Sequence, residues 1–347
     1  MRIIYTDRHK LHATQGVRLE DHPFVTDEVP ARAKVILDAV LGARLGPVSA
    51  PQDYGLDPLL AVHTPDFVDY LRTIYEAHAA VLQKRGPVFA ETIIAHGGRR
   101  KPKGALGLPG YYAFGVGSPI LEGTWEAAYW SAQCALTAAD VVQTTGETAY
   151  ALCRPPGHHA AADLYGGFCY LNNAAIAARY LAPEVGATLA VAPTKMAILD
   201  IDYHHGNGTQ EIFYADPSVL FCSLHAHPDD DYPYYWGEAD ERGEGAGEGC
   251  NRNWPLPQGT DDAAYLAALD EALAVIRAFA PRYLVVSAGF DIAAGDPVGG
   301  FNVTPDGFNA IGRRIAALGL PTTIVQEGGY LLETLGENAA AFLQAFV

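Results

Sequence analysis

The stretch Met196–Gln210, reading M-A-I-L-D-I-D-Y-H-H-G-N-G-T-Q, limits what this chain can fold into more than any other. Met196–Leu199 is a short apolar run, the pattern of a strand buried on both faces of a parallel sheet. Two aspartates, two histidines and two glycines then follow within the nine residues from Asp200 to Gly208. Asp200, Asp202 and His204 share parity, so an extended chain points all three the same way. Two carboxylates and an imidazole are not buried on one side of a strand without a partner, because desolvation would drive them to neutrality. A cation at the strand's carboxyl end is the natural partner. Gly206 and Gly208 permit the sharp turn into a following helix. The plainer alternative is a surface loop that happens to be rich in Asp and His.

The rest of the chain argues against that alternative. Arg2–Tyr5 reads as a first strand, and Asp7–Pro30 as a polar loop too long to be a simple connection. Ala31–Leu45 has helical spacing, Leu59–His63 reads as a strand, and Thr64-Pro65 opens a helix over Asp66–Gln83. From Lys84 to Pro119 the periodicity dissolves around Gly-Gly-Arg-Arg-Lys-Pro-Lys-Gly, which predicts a lid, a binding loop or an interface arm. Gly123–Thr145 is a long Ala-rich helix. Strands and helices then alternate: Tyr150–Cys153, Met196–Leu199, Val219–Leu224, Tyr283–Ser287 and Thr322–Gln326 read as strands. Leu171–Leu181, Gly208–Tyr214, Asp261–Ala278, Pro305–Leu318 and Leu332–Ala345 read as helices. This rhythm predicts a doubly wound, mostly parallel α/β sheet. With no compositional break and no internal repeat, residues 1–347 read as one domain with an insertion at about 84–119. Every chemically dense cluster falls where such sheets bind ligands, beyond the carboxyl end of a strand. R-P-P-G-H-H, D-I-D-Y-H-H-G-N-G, S-L-H, A-G-F-D and E-G-G-Y each follow a separate strand.

Composition narrows the partners. With 23 basic and 40 acidic residues the formal charge is −17, which disfavours nucleic acid and anionic membrane surfaces and suits a cationic small substrate. No apolar run approaches the length that spans a bilayer. The five cysteines are scattered without CxxC spacing, and four sit in apolar surroundings. They read as reduced core residues of a cytoplasmic protein.

Asp202 and His204, with Asp291 of S-A-G-F-D, form a candidate Asp–His–Asp metal set. On a zinc ion such a set leaves room for a water and a substrate carbonyl. Asp291 as a helix N-cap is the alternative. His158 and His159 are adjacent, and each needs an acceptor to fix its tautomer. Asp200 and Asn207 can supply one each. A carboxylate raises a histidine's basicity and an amide only orients it, so the two rings would take different roles. Two core histidines satisfied by backbone carbonyls are the alternative. Tyr330, after Gly328 and Gly329, can donate to an oxyanion. Phe168 and Tyr232 can wall an entry channel that excludes water. For these three, ordinary core packing is the competing reading.

Taken in order, R-P-P-G-H-H, G-G-F-C, D-I-D-Y-H-H-G-N-G-T-Q, S-L-H, A-G-F-D and E-G-G-Y resemble the zinc-dependent histone deacetylase superfamily over nearly the whole chain. The N-terminal M-R-I-I-Y-T-D-R-H-K-L, the Lys84–Pro119 insertion and E-G-T-W at Glu122–Trp125 look most like its bacterial acetylpolyamine amidohydrolases. The resemblance implies the arginase–deacetylase fold, an eight-stranded sheet flanked by helices. It implies one zinc ion held by Asp202, His204 and Asp291, with His159 as general base and later acid. His158 would be partnered by Asp200, His159 by Asn207, and Tyr330 would polarise the carbonyl. Gly167, Phe168 and Tyr232 would line the substrate tunnel. It also implies a structural potassium ion on backbone oxygens around Asp200, Asp202 and His204, the Ser223 hydroxyl and the Leu224 carbonyl.

The activity so implied is deacetylation of small N-acetylated amines such as acetylpolyamines. The alternatives are acetyl-lysine proteins or other acetamides as substrates, an arginase-type ureohydrolase, and a catalytically silent binding module. A ureohydrolase needs a second metal and a denser set of Asp and His than this chain offers. One departure stands out. The polyamine enzymes resemble one another in carrying acidic residues at the tunnel mouth, where this chain has Val17 and Leu106, with Glu20 and Asp21 near the first. They also use the insertion to dimerise, so a homodimer through 84–119 is expected.

Overall fold

The computed structural model describes residues 1–19, 22–23, 26–98, 100–182 and 194–347, and for residues 18, 19, 22 and 23 the backbone alone. Ten strands occur among them. They are β1 (Arg2–Ile4), β2 (Arg18–Leu19), β3 (His22–Pro23), β4 (Val48–Ser49), β5 (Ala149–Ala151), β6 (Met196–Asp200), β7 (Val219–Ala226), β8 (Asn251–Leu256), β9 (Tyr283–Ala288) and β10 (Thr322–Gln326). β2 and β3 form a small antiparallel ribbon. The other eight make one sheet in the order β4-β1-β5-β10-β9-β6-β7-β8, and every neighbouring pair in it is parallel.

β6 shows why the sheet forms. All five of its residues are buried, and alternate positions feed opposite cores. Met196 and Ile198 pack with the long helices α3 (Pro65–Leu82), α5 (Thr124–Thr145) and α6 (Asn173–Leu181). Ala197 and Leu199 face α1 (Ala31–Gly42), α8 (Asp262–Phe279), α9 (Pro305–Ala316) and α10 (Leu332–Leu343). Three of these helices start on a side-chain cap. Asn172 accepts from Ala175 N, Asp261 from Ala264 N and Thr304 from Gly307 N, which satisfies amides that the helix leaves free.

Topology places the site. From β6 the chain moves outward to β7 and β8, then returns to lay β9 and β10 on the other side of β6. The direction of winding therefore reverses between β6 and β9, and a crevice opens there at the carboxyl ends.

The expected elements appear, with four departures. Leu59–His63 is not a strand: Asp57–Leu60 is a short helix, α2, with Pro58 in its first turn, followed by turn residues. β4 and β8 have no counterpart among the sequence-based strands, nor does the β2–β3 ribbon inside the expected Asp7–Pro30 loop. β4 has only two residues, and β8 is polar and contains Pro255, which an edge strand tolerates because it pairs on one side. β6 ends at Asp200, so strand parity does not reach Asp202 and His204; bends and hydrogen bonds orient them instead, ahead of α7 (Asn207–Phe213). The 84–119 insertion is not without structure. It holds a five-residue helix, α4 (Leu108–Tyr112), and an antiparallel bridge between Val88 and Ile120. Lys101 of its basic core pairs with the chain's own Asp66 at 2.8 Å.

Candidate active site

Asp202 and His204 leave the end of β6 and Asp291 leaves the end of β9, so the three meet across the crevice. One ligand atom from each lies within 4.8 Å of the others, and all three residues are buried. His204 Nδ1 is 3.3 Å from Asp202 Oδ1 and 3.2 Å from Asp291 Oδ2. Backbone amides fix both carboxylates: Gly328 N donates to Asp202 at 2.7 Å, and Tyr203 N donates to Asp291 at 2.9 Å. Two glycines give them room. A Cβ on Gly289 would meet Asp202 Oδ2 at 2.2 Å, and one on Gly328 would meet Asp291 Oδ2 at 2.2 Å.

The charges are poised for a cation. Burial and the neighbouring Asp202 push the Asp291 carboxyl up to about 7. Burial pulls His204 down, yet its hydrogen bonds to Asp202 and Asp291 outweigh that and push it up to about 10. Two carboxylates this close require positive charge between them, and a divalent metal supplies it without a proton. Two oxygens and one imidazole nitrogen form a donor set that suits zinc with positions left open.

Beside the cluster, the loop after β5 brings in His158 and His159, whose ring centroids are 4.0 Å apart. His158 Nδ1 lies 3.0 Å from Asp200 Oδ2, and His159 Nδ1 lies 2.8 Å from Asn207 Oδ1. Burial opposes a charge on His158, but Asp202 and Asp200 prevail and raise it to about 10. For His159, burial and then the charges of His158 and His204 act together and drive its pKa well below the usual value. With the Asn207 oxygen facing Nδ1, that nitrogen carries the proton and Nε2 keeps its lone pair. The pairings expected from the sequence are therefore the pairings found.

Tyr330 follows β10, is buried, and stacks edge-on with Phe168 at 5.8 Å. Burial holds its hydroxyl protonated, well above the ordinary tyrosine range, against the opposing pull of Arg32. Tyr232 stands edge-on to His159 at 5.0 Å. Gly167, at φ +55, fits between them: a Cβ there would lie 2.3 Å from the His159 ring and 2.9 Å from the Tyr232 hydroxyl. Tyr232 and Gly167 thus cover one side of His159, while Phe168 stands against Tyr330. Asp200 and Ser223 are register partners on β6 and β7. The Ser223 hydroxyl lies between His225 Nδ1 at 2.8 Å and His205 Nδ1 at 3.1 Å. Of the residues expected around a potassium ion, Asp200 and Ser223 are therefore side by side.

Three residues that hold the site were not singled out in the sequence. Glu327 accepts from Gly157 N and His158 N at 2.7 and 3.2 Å. Arg32 donates to the carbonyls of Glu327 and Gly329, both at 2.6 Å, and its guanidinium lies 4.5 Å from the Tyr330 ring centroid. Asp296 accepts from Tyr330 N at 2.7 Å. For Glu327 the signal was present in E-G-G-Y, where an acid ends a buried strand. Arg32 and Asp296 gave none, because they reach the site from a distant helix and a loop.

Val17 and Leu106 line one surface cleft of about 1270 Å³, together with Leu82, Phe89 and Val116 and with Lys84, Arg85 and Glu91. Among the described lining residues are none of the metal cluster, the tandem histidines or their aromatic neighbours; Ser118, two residues beyond Val116, accepts from Phe168 N at 2.7 Å through its Oγ. Glu20 and Asp21 lie outside the described residues.

Residues 26–346 match the family of the histone deacetylase domain. Acetylpolyamine amidohydrolase 1 of Pseudomonas aeruginosa is 44% identical over 346 residues, covering 99% of this chain and 98% of its own. The crystal structure of acetylpolyamine aminohydrolase from Burkholderia pseudomallei superposes with a TM-score of 0.92 at 40% identity, over 100% of this chain and 98% of the other. The HD domain of HDA15 superposes with a TM-score of 0.81 at 29% identity, over 99% and 87%.

Proposed function

This chain belongs to the histone deacetylase family, and on that footing we propose that it is a zinc-dependent amidohydrolase removing acetyl groups from small N-acetylated amines. The observation that carries the reading is the buried Asp202–His204–Asp291 cluster with the His159–Asn207 pair beside it. The relatives' names, acetylpolyamine amidohydrolase and aminohydrolase, support the substrate class. A zinc ion held by Asp202, His204 and Asp291 would polarise the amide carbonyl and acidify a water. His159 takes the water's proton at Nε2 and returns it to the leaving amine. Its low proton affinity makes it a modest base and a strong acid, which favours release of a poor leaving group. Burial sets that low affinity first, and His158, kept cationic by Asp202 and Asp200, lowers it further. Tyr330 donates its hydroxyl proton as a hydrogen bond to the developing oxyanion. Phe168, Tyr232 and Gly167 exclude water and grip the alkyl chain.

The apolar lining from Val17, Leu82, Phe89, Leu106 and Val116 favours a second reading of the substrate. Acetamides with apolar or short tails, or acetyl-lysine in exposed peptides, would suit this mouth as well as a polyamine. Turnover by the zinc-loaded protein on acetylputrescine, acetylcadaverine, acetylspermidine, acetyl-lysine peptides and aryl acetamides separates these. Inactivity on the whole panel would refute the amidohydrolase reading, and about two metal ions per chain would revive a ureohydrolase.

Three further parts of the reading have their own support. The neighbouring positions of Asp200 and Ser223 support a potassium ion on the oxygens of Asp200, Asp202, His204, Ser223 and Leu224; activity indifferent to replacement of potassium by a large organic cation would count against it. Exposed apolar side chains on the insertion, Leu106 at 47% and Val116 at 56%, support burial against a second copy through 84–119. Light scattering giving a mass near the 37.1 kDa of one chain would count against the dimer. Four buried free cysteines support a cytoplasmic setting, and among the described residues no helix is long and apolar enough to cross a membrane.

A further inference from the structure

We propose that Glu327 is a positioning residue whose carboxylate clasps the tandem-histidine loop to the strand end that carries Tyr330. The inference rests on the roles assigned above to His159 and Tyr330. Glu327 follows β10 directly and is fully buried. Its own amide extends the sheet by one step, donating to Ala288 O at 2.9 Å. Its side chain then leaves the sheet. One oxygen, Oε2, accepts from the consecutive amides of Gly157 at 2.7 Å and His158 at 3.2 Å. The other, Oε1, receives the Ser287 hydroxyl at 3.4 Å. One carboxylate therefore joins the ends of β5, β9 and β10.

The need for such a clasp follows from the loop. Gly157 and His158 have left β5, so no strand partner takes their N–H groups, and buried amides without an acceptor are disfavoured. Gly157 also cannot be replaced by a residue that brings its own side chain: a Cβ there would lie 2.5 Å from Asn173 N and 2.7 Å from Leu171 O. On the other side, Gly328 and Gly329 separate Glu327 from Tyr330 and have no side chains to anchor them. Arg32 ties their flanking carbonyls, and Asp296 ties Tyr330 N. A link of chain and hydrogen bonds from the proton-transfer residue to the oxyanion donor thus runs from His159 through His158 and the Glu327 clasp to Tyr330. A displacement of either by about an ångström is the scale that slows catalysis strongly.

Glutamine can reproduce every contact. Its carbonyl oxygen can accept both amides while its NH₂ donates to Ser287. Alanine removes them all, and aspartate keeps the charge but is one carbon too short. With acetylputrescine as probe, Glu327→Ala and Glu327→Asp are expected to lower kcat by about ten- to a hundredfold. KM should stay within about threefold and bound zinc should be unchanged, while Glu327→Gln restores kcat to within about threefold. Hydrogen exchange of the peptide covering residues 155–162 should accelerate in the Ala and Asp variants and not in the Gln variant. Wild-type kcat in the Ala variant would overturn the proposal, as would a Gln variant as slow as the Asp variant, since charge and not the clasp would then matter. If the Ala variant does not fold, the Gln and Asp variants decide alone. A wild-type protein inactive on every acetamide would refute the functional reading, and the exchange rates would still judge the clasp.

Discussion

The two ends of the proposed substrate path are held in opposite ways. At the inner end, Asp200, Asp202 and Asp291 are almost fully buried, and each carboxylate is tied to a ring nitrogen or backbone amide from another part of the sheet. Glycine is required on both sides, because a Cβ on Gly289 or Gly328 would strike a carboxylate. At the outer end, Leu106 is 47% exposed and Val116 56% exposed, and the lining comes from the N-terminal loop, the end of α3 and the insertion. Among the described residues no sheet strand contributes to that lining. Chemistry is fixed where several strands over-determine it, whereas the mouth can change by single side chains without disturbing the fold.

If that contrast is right, the largest effects belong to the inner end. Asp291→Asn and His204→Ala should each remove bound metal and essentially all activity, with the sheet intact by circular dichroism. Dialysis of the native protein against a chelator should do the same, and zinc should restore turnover. Activity that survives complete chelation would show that the cluster is not where the chemistry happens.

Next come the groups that move a proton or meet an oxyanion. Tyr330→Phe should keep zinc and fold while kcat falls by ~10²–10³-fold, the scale of one lost oxyanion donor. His159→Ala should cost ~10²-fold or more, and more than His158→Ala. The reason is that Asn207 leaves His159 neutral with Nε2 free, whereas Asp202 and Asp200 hold His158 charged. A larger loss from His158→Ala would reverse that division of roles.

The same contrast explains what could be read from the sequence. Inner-end residues were visible because a buried strand ending in D-I-D-Y-H-H-G-N-G admits few explanations, and the same pattern recurs on four other strand ends. What escaped was support arriving from far away. Arg32 reaches Tyr330 from α1, almost three hundred residues earlier in the chain, and no local pattern encodes such a contact. Glu327 stood in plain view within E-G-G-Y but reads as an ordinary acid until its two amide partners are seen. In the fold, β4 and β8 escaped for physical reasons: two residues carry no period, and N-R-N-W-P-L looks like a loop unless it lies at an edge. The oriented turn after β6 also differed from the parity argument, since hydrogen bonds and not strand pleat aim Asp202 and His204.

Between the two ends, His63 ties α2 and α3 to the active-site loops, and it should make the contrast measurable as stability. It is 1% exposed, its Nε2 accepts from Asn172 N at 2.9 Å, and its Nδ1 faces Ala162 O at 3.3 Å. Burial lowers its pKa to about 4. A folded-state pKa below the unfolded value of about 6.5 means that the unfolded chain binds more protons, so stability falls as pH drops through that window. The loss attributable to His63 between pH 6.5 and 4 is at most ~3 kcal/mol. Urea unfolding at pH 7 and 4.5 should show a shallower acid loss in His63→Gln than in wild type, although other buried histidines such as His12 add to the wild-type slope. Equal slopes would mean that His63 stays neutral in both states or opens early.

The smallest expected effect lies at the mouth, and it tests whether the cleft receives the substrate's tail. Leu106 and Val17 share that cleft with Lys84 and Arg85, so a distal ammonium meets apolar walls and nearby positive charge. Arg85 is already engaged by Glu76 at 2.6 Å, which leaves a field that one new carboxylate can tilt. Leu106→Glu should therefore raise kcat/KM for acetylputrescine and acetylspermidine by about two- to fivefold. That corresponds to ~0.4–1 kcal/mol, within the range of an exposed ion pair. The gain should fade at high salt, where such charges are screened, and a neutral aryl acetamide should show none. Leu106 is half exposed in the single chain, so the fold of the monomer has no reason to resist the change, and light scattering checks whether a dimer tolerates it. An equal change for charged and neutral substrates would place the amine's tail elsewhere and leave the cleft to a second copy of the chain.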